Sequence, residues 1–151
     1  MNGAFDGNGY TPETVQTDRA TVPAKPRRSR ASAKKAGSSF ERAVADFLAA
    51  MLGDDRIDRR VKNGRNDRGD IAGVRTVRGA RVVIEAKNVS RLDLAGWITE
   101  AEREAGNDDS QYPIVVHKRH GKGDPADQYV TMTLDTFARL LEGGAEEARF
   151  E

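Results

Sequence analysis

Asp70, Glu85 and Lys87 are the residues whose types and spacing can do chemistry. Val82, Val83 and Ile84 form an apolar run that leads directly into Glu85-Ala86-Lys87. Side chains alternate across a strand, so Glu85 and Lys87 share one face while Ala86 takes the other. Asp70 opens a second short apolar run, fifteen residues upstream of Glu85. If the two strands pair, both carboxylates converge with an ammonium beside them. At about 4 Å, two like charges repel by roughly 4 kcal/mol at an effective dielectric near 20. A bound Mg²⁺ or Mn²⁺ turns that cost into attraction, because hard cations prefer carboxylate oxygen. Such a centre polarises a phosphodiester and activates water. Lys87 is placed to orient that water or to stabilise developing charge. Ala86, facing the core, can offer a metal only its backbone carbonyl. The competing reading is an ordinary strand face with a cross-strand ion pair, since short Glu-x-Lys matches are common in charged proteins.

The elements that must position these residues follow from periodicity. Phe40, Val44, Phe47, Leu48 and Met51 recur at helical spacing, with Ser38 opening the helix and Gly53 ending it. Residues 61–67 form a polar strand edge or loop. Asp70 to Val74 and Arg81 to Lys87 read as two antiparallel strands about a turn at Arg78-Gly79. Leu94, Trp97, Ile98, Ala101 and Ala105 mark a second helix with Asp93 as N-cap and Gly106 at its end. Trp97 belongs to that stripe as a core anchor rather than a base-stacking residue. Pro113 to His117 is a buried strand, Gly121 to Asp127 a loop, Tyr129 to Thr133 a strand, and Leu134 to Leu141 a closing helix. The expected fold class is α/β: a mixed β-sheet flanked by helices in αββαββα order.

Glu41 carries two readings. Ser38-Ser39-Phe40-Glu41 fits a capping box, in which the Glu side chain returns to the cap residue's N–H. Glu41 is also in register with Val44 and Leu48, at the border of the buried face, where an acid is costly unless it has a partner or a task.

Three segments together resemble the Holliday junction resolvase branch of the PD-(D/E)xK nucleases: Ala36-Gly-Ser-Ser-Phe-Glu-Arg42, Asn66-Asp-Arg-Gly-Asp-Ile71 and Val83-Ile-Glu-Ala-Lys-Asn88. The archaeal-type resolvases and related phage enzymes show the same order, a Glu on the first helix, a glycine-containing polar loop, Asp-Ile, then Glu-x-Lys. The chain also resembles actinophage proteins of that kind, including in the segment from His117 to Asp127. The resemblance spans residues 36–141 and implies a restriction-endonuclease-like sheet. It implies Glu41, Asp70 and Glu85 as acidic site residues and Lys87 as catalytic lysine, with Mg²⁺ or Mn²⁺ held by Asp70, Glu85, Glu41 and the Ala86 carbonyl. Many members carry Val or Cys where this chain has Ala86, a mild change at a core-facing position. The motifs are shared with restriction and repair nucleases. Nicked, flapped or plain duplex DNA therefore stand as alternative substrates to a four-way junction, and a non-catalytic DNA-binding protein is the remaining alternative. Symmetric junction cleavage calls for two active sites on a two-fold axis, hence a homodimer.

Composition sets the outer bounds. With 151 residues, the chain is expected to hold one nuclease domain, residues 37–151, after a basic tail, residues 1–36. There is no cysteine, which excludes disulfides and thiolate zinc and fits a reducing cytoplasm, that of a bacterial host if the gene is a phage's. Two histidines, His117 and His120, exclude a histidine-rich metal site. No apolar run approaches the roughly twenty residues of a membrane span, and no signal-peptide core is visible. The net charge of +1 conceals an asymmetry, because residues 1–39 carry seven Lys/Arg against three Asp/Glu. Lys25, Arg27, Arg28, Arg30, Lys34 and Lys35 follow one another without an intervening acid. The tail is rich in Gly, Asn, Thr, Pro and Ser and is expected to be disordered. It is either a solvated tail or an arm that neutralises DNA phosphates without reading sequence. Arg65 and Arg68, in a glycine-rich polar loop, are candidate phosphate clamps unless that loop is a plain surface turn. Lys118, Arg119 and Lys122 form a second basic cluster, for DNA-backbone contact or as a solvated strand end.

Overall fold

A computed structural model describes residues 26–143 of the chain. Three helices and a five-stranded mixed sheet make up an α/β fold. Helix α1 (Arg30–Leu52) is followed by β1 (Asp58–Arg59), β2 (Ile71–Ala72) and β3 (Val83–Lys87). Helix α2 (Leu94–Asn107) then leads to β4 (Pro113–His117), β5 (Tyr129–Thr131) and α3 (Leu134–Leu141). Single 3₁₀ turns occupy Gly64–Asn66 and Pro125–Asp127. The strands lie side by side in sequence order. Only β3 and β4 are parallel, with Glu85 opposite Val115 and Lys87 opposite His117. The other neighbours are antiparallel. A parallel pair needs a crossover, and α2 supplies it.

Alternation along the two central strands assigns the faces. Val82 just before β3, Ile84 on β3, and Ile114 and Val116 on β4 pack with Phe40, Val44 and Ala45 of α1. Val115, on the opposite face, packs with Trp97 and Ala101 of α2. The sheet is therefore covered on both faces, and its central strands read as continuous apolar runs for that reason. Trp97 is a core residue, as its stripe predicts.

The start of α1 departs from expectation. The helix begins at Arg30, capped by the Ser29 side chain, which accepts from Ser32 N–H at 3.2 Å. The expected tail of residues 1–36 therefore overlaps two helical turns that carry Arg30, Lys34 and Lys35 on exposed positions. Arg-Ala-Ser-Ala-Lys-Lys-Ala is built of good helix formers, and the polar composition of the longer window concealed it. Lys25 and the rest of residues 1–25 lie outside the described residues, while Arg27 and Arg28 lie just before the helix and are exposed. The capping box at Ser38 is overturned by the same fact, because Ser38 and Glu41 sit in the middle of α1. At the other end Gly53 closes the helix in the left-handed conformation as expected. Met51, expected on the buried stripe, is 69% exposed.

The αββαββα order gains one strand. β1 precedes the polar loop, a two-residue strand with no periodicity to show. The strands expected over residues 70–74 and 81–87 pair antiparallel through Ile71 and Ile84 but are shorter. Asp93 caps α2 through Gly96 N–H, and β4 and α3 occupy the expected residues. No helix among the described residues is long and apolar enough to cross a membrane.

Candidate functional site

Gly69 places Asp70. Its φ of 89° is left-handed, and a Cβ there would lie 2.9 Å from both the Ile84 carbonyl oxygen and Val83 Cγ1. Only glycine lets this turn approach β3 so closely. Asp70 N–H then donates to the Ile84 carbonyl at 2.8 Å, and the Asp70 side chain reaches along β3. Its Oδ2 accepts from Ala86 N–H at 2.9 Å, and its Oδ1 lies 3.1 Å from Lys62 Nζ. Asp70 is 2% exposed.

Glu85 and Lys87 share the α2 face of β3, with Glu85 Oε1 2.7 Å from Lys87 Nζ. Lys87 also donates to Glu100 Oε2 of α2 at 2.5 Å. Glu85 is hydrogen-bonded to Glu104, one turn further along α2. Oxygens of Glu85, Glu100 and Glu104 all lie within 4.8 Å of one another. Glu104 is buried, and its Oε2 has no hydrogen-bond partner. Burial, and then the charge of Asp70, push the Glu85 carboxyl up to about 9 against the pull of Lys87. Burial likewise raises Glu104, against the hydrogen bond from Glu85. For Lys62, burial acts downward, but Asp70's charge and hydrogen bond outweigh it and push the ammonium up to about 12. Lys87 is raised in the same way, with Glu100 and Glu85 overcoming burial.

Glu41 is buried and receives both Nε (3.1 Å) and a terminal nitrogen (2.6 Å) of Arg59 on its Oε2. That pair supplies the partner which an acid on the buried border requires. The charge of Glu41 nevertheless helps to raise the Lys62 ammonium, after those of Asp70 and Glu85. Ala86 packs its methyl on the α1 side of the core.

The basic residues are dispersed. Arg68 approaches Asp108 at 3.9 Å rather than Asp70, which corrects its expected place beside the carboxylates. Arg65 is exposed, and its carbonyl accepts from Asn107. Lys118 Nζ donates to the Lys122 carbonyl, which folds the loop after β4 back on itself. Arg119 lies over the Tyr129 ring, 5.3 Å from its centroid. His117, first of that basic cluster, is buried between Trp97 and Tyr129 with Nε2 2.8 Å from Thr131 Oγ1, and burial lowers its pKa.

Lys62, Glu100 and Glu104 were not singled out from sequence. Glu104 had a signal: it lies three residues after Ala101 and seven after Trp97, on the apolar stripe itself. Lys62 had none.

A divalent cation fits the chemistry of this donor set. Among the described residues, Glu85, Glu100 and Glu104 are the carboxylates whose oxygens converge, two of them buried, and Glu104 Oε2 lacks a partner. Hard cations take such ligands. No family model matches the chain, and neither a curated protein nor a solved structure matches it.

Proposed function

We propose that this protein is a divalent-metal-dependent DNA endonuclease with a restriction-endonuclease-like fold, acting as a Holliday junction resolvase. The observation that carries the nuclease reading is the closure of Asp70 onto β3. Its Oδ2 takes the Ala86 N–H at 2.9 Å, which sets it beside Glu85 with Lys87 2.7 Å from the latter. In this reading Asp70, Glu85 and the Ala86 carbonyl hold Mg²⁺ or Mn²⁺, with Glu41 supporting the site through Lys62 and Arg59. The metal supplies Lewis-acid polarisation of the scissile phosphate and a more acidic water. Lys87 Nζ, held between Glu85 and Glu100, donates to the water or to the charge developing on phosphate. A cation held there would displace the proton that burial favours on Glu85, and Glu104 would keep the Glu85 carboxylate aimed.

The partner in this reading is DNA, bound by a homodimer in the cytoplasm of a bacterial host. Leu134, Phe137 and Leu141 expose one apolar face of α3. An exposed patch of this kind favours pairing of two copies. Phosphate contacts fall to Lys25, Arg27, Arg28, Arg30, Lys34 and Lys35 at the N-terminal end and to Lys118, Arg119 and Lys122 after β4.

Cleavage of a synthetic four-way junction, compared with linear, nicked and flapped duplexes, tests the proposal. Symmetric nicks in Mg²⁺ or Mn²⁺, absent in Ca²⁺, are expected. Equal cleavage of all substrates would remove the junction assignment and leave a general nuclease. No cleavage of any would remove the enzyme.

A further inference from the structure

The loop before β2, the hairpin after it and the end of α2 enclose an open cavity of about 240 Å³. Its charged lining is Arg60, Arg68, Arg75, Arg81 and Asp108, four guanidinium groups against a single carboxylate. Asp108 is buried at the end of α2 and serves as the hub. Arg60 spans both its oxygens, at 3.3 and 3.4 Å, Arg81 lies 3.7 Å away and Arg68 3.9 Å. Arg81 also donates to the Asp108 carbonyl at 3.1 Å, while Arg75 donates to the Gly79 carbonyl.

The ion pairs leave three positive charges over. Repulsion among guanidinium groups sharing one carboxylate is costly wherever water is restricted. Arg60 Nε is buried without a hydrogen-bond partner, a donor that the hub does not satisfy. A second anion completes both accounts. Arginine's planar fork suits the oxygens of a phosphate, and several forks around one cavity fix it in place.

We infer that this arginine cavity is a binding site for a backbone phosphate of nucleic acid, separate from the carboxylate site that would take the scissile one. The inference rests on the nuclease reading for the identity of its ligand. Its position agrees with that reading, because Arg60 N–H donates to the Asp70 carbonyl at 2.7 Å. Arg60 and Lys62 are two residues apart, so their Cα atoms lie within about 7 Å. A strand whose scissile phosphate meets Asp70 and Lys62 therefore lays a neighbouring phosphate over the arginines. The cavity acts as a register stop that sets where along the strand the carboxylates fall.

The test is an NMR titration of the arginine Nε–H signals in the full-length, metal-free protein. Inorganic phosphate, and then a short DNA duplex, are added at constant ionic strength, with chloride as control. Arg60 and Arg68 signals should shift saturably with phosphate and with duplex, the duplex acting at lower concentration, and should ignore chloride. Arg68→Gln and Arg75→Gln change exposed residues and spare the Arg60–Asp108 pair. Each should weaken phosphate binding by roughly fivefold or more without changing the fold seen in the amide spectrum. Linear, non-saturating shifts, equal shifts with chloride, or phosphate affinity untouched in both variants would overturn the site. So would phosphate binding with no response to duplex, which would define a small-anion site. Saturable binding of both ligands by a protein that cleaves no DNA keeps the site and rejects the nuclease. Cleavage by a protein whose arginines ignore phosphate does the reverse.

Discussion

Glu85→Gln should remove a pH dependence that the wild-type protein shows in EDTA. Glu85 is 4% exposed and raised from 4.5 to about 9, first by burial and then by the charge of Asp70. A carboxyl raised on folding binds a proton that the unfolded chain has already released. Its contribution to stability is complete below the ordinary 4.5 and is lost as pH rises through about 9. Integrating that one proton from about pH 7 to about pH 9 gives a loss of about 2 kcal/mol. Glu104 is raised beside it and interacts with it, so the figure belongs to the pair. Gln has the shape and hydrogen bonding of the protonated carboxyl and does not titrate. Over that pH interval the wild-type melting temperature should fall by roughly 10 °C more than that of Glu85→Gln. Circular-dichroism melts of both proteins at the two pH values measure this. Parallel falls would refute the buried, protonated Glu85 and the site geometry with it. A divalent cation that replaces the proton should remove the wild-type excess. At about a hundred times its dissociation constant it adds about 2.7 kcal/mol of stability.

Lys87→Ala should abolish cleavage yet bind Mn²⁺ at least as well by calorimetry, because it takes an ammonium from between Glu85 and Glu100; lost Mn²⁺ binding in the folded variant would contradict the role. Glu41→Gln strips Arg59 of its carboxylate and should cost about 1–3 kcal/mol in denaturant melts; unchanged stability would show that the pair is idle. Gly69→Ala should destabilise by roughly 1–3 kcal/mol and displace Asp70, given its left-handed φ and the lack of room beside Ile84; a wild-type melt would reject that close approach. Deleting residues 1–28 spares the Ser29 cap and removes Lys25, Arg27 and Arg28. The slope of log affinity against log salt on duplex DNA should then flatten by about 2.7, and an unchanged slope would leave these residues as a solvated tail.

The sequence by itself determined the elements whose signals are local. Asp93 and Gly53 mark helix ends because a cap needs one side chain or one left-handed residue. β4 and α3 are legible because a buried strand and an amphipathic helix carry their burial in their own spacing. Glu85 and Lys87 share a face by strand geometry alone. The start of α1 was equally local, in Ser29 and the helix-forming residues after it, but the polar window around it hid the signal. Tertiary structure decided which charges meet. Glu41 finds Arg59 across eighteen positions, Lys62 finds Asp70 across a loop, and Glu104 reaches Glu85 from the crossover helix. Asp108 gathers arginines from three separate segments. None of these pairings leaves a period or a spacing in the chain, because a buried charge constrains its partner's position in space and not its distance along the sequence.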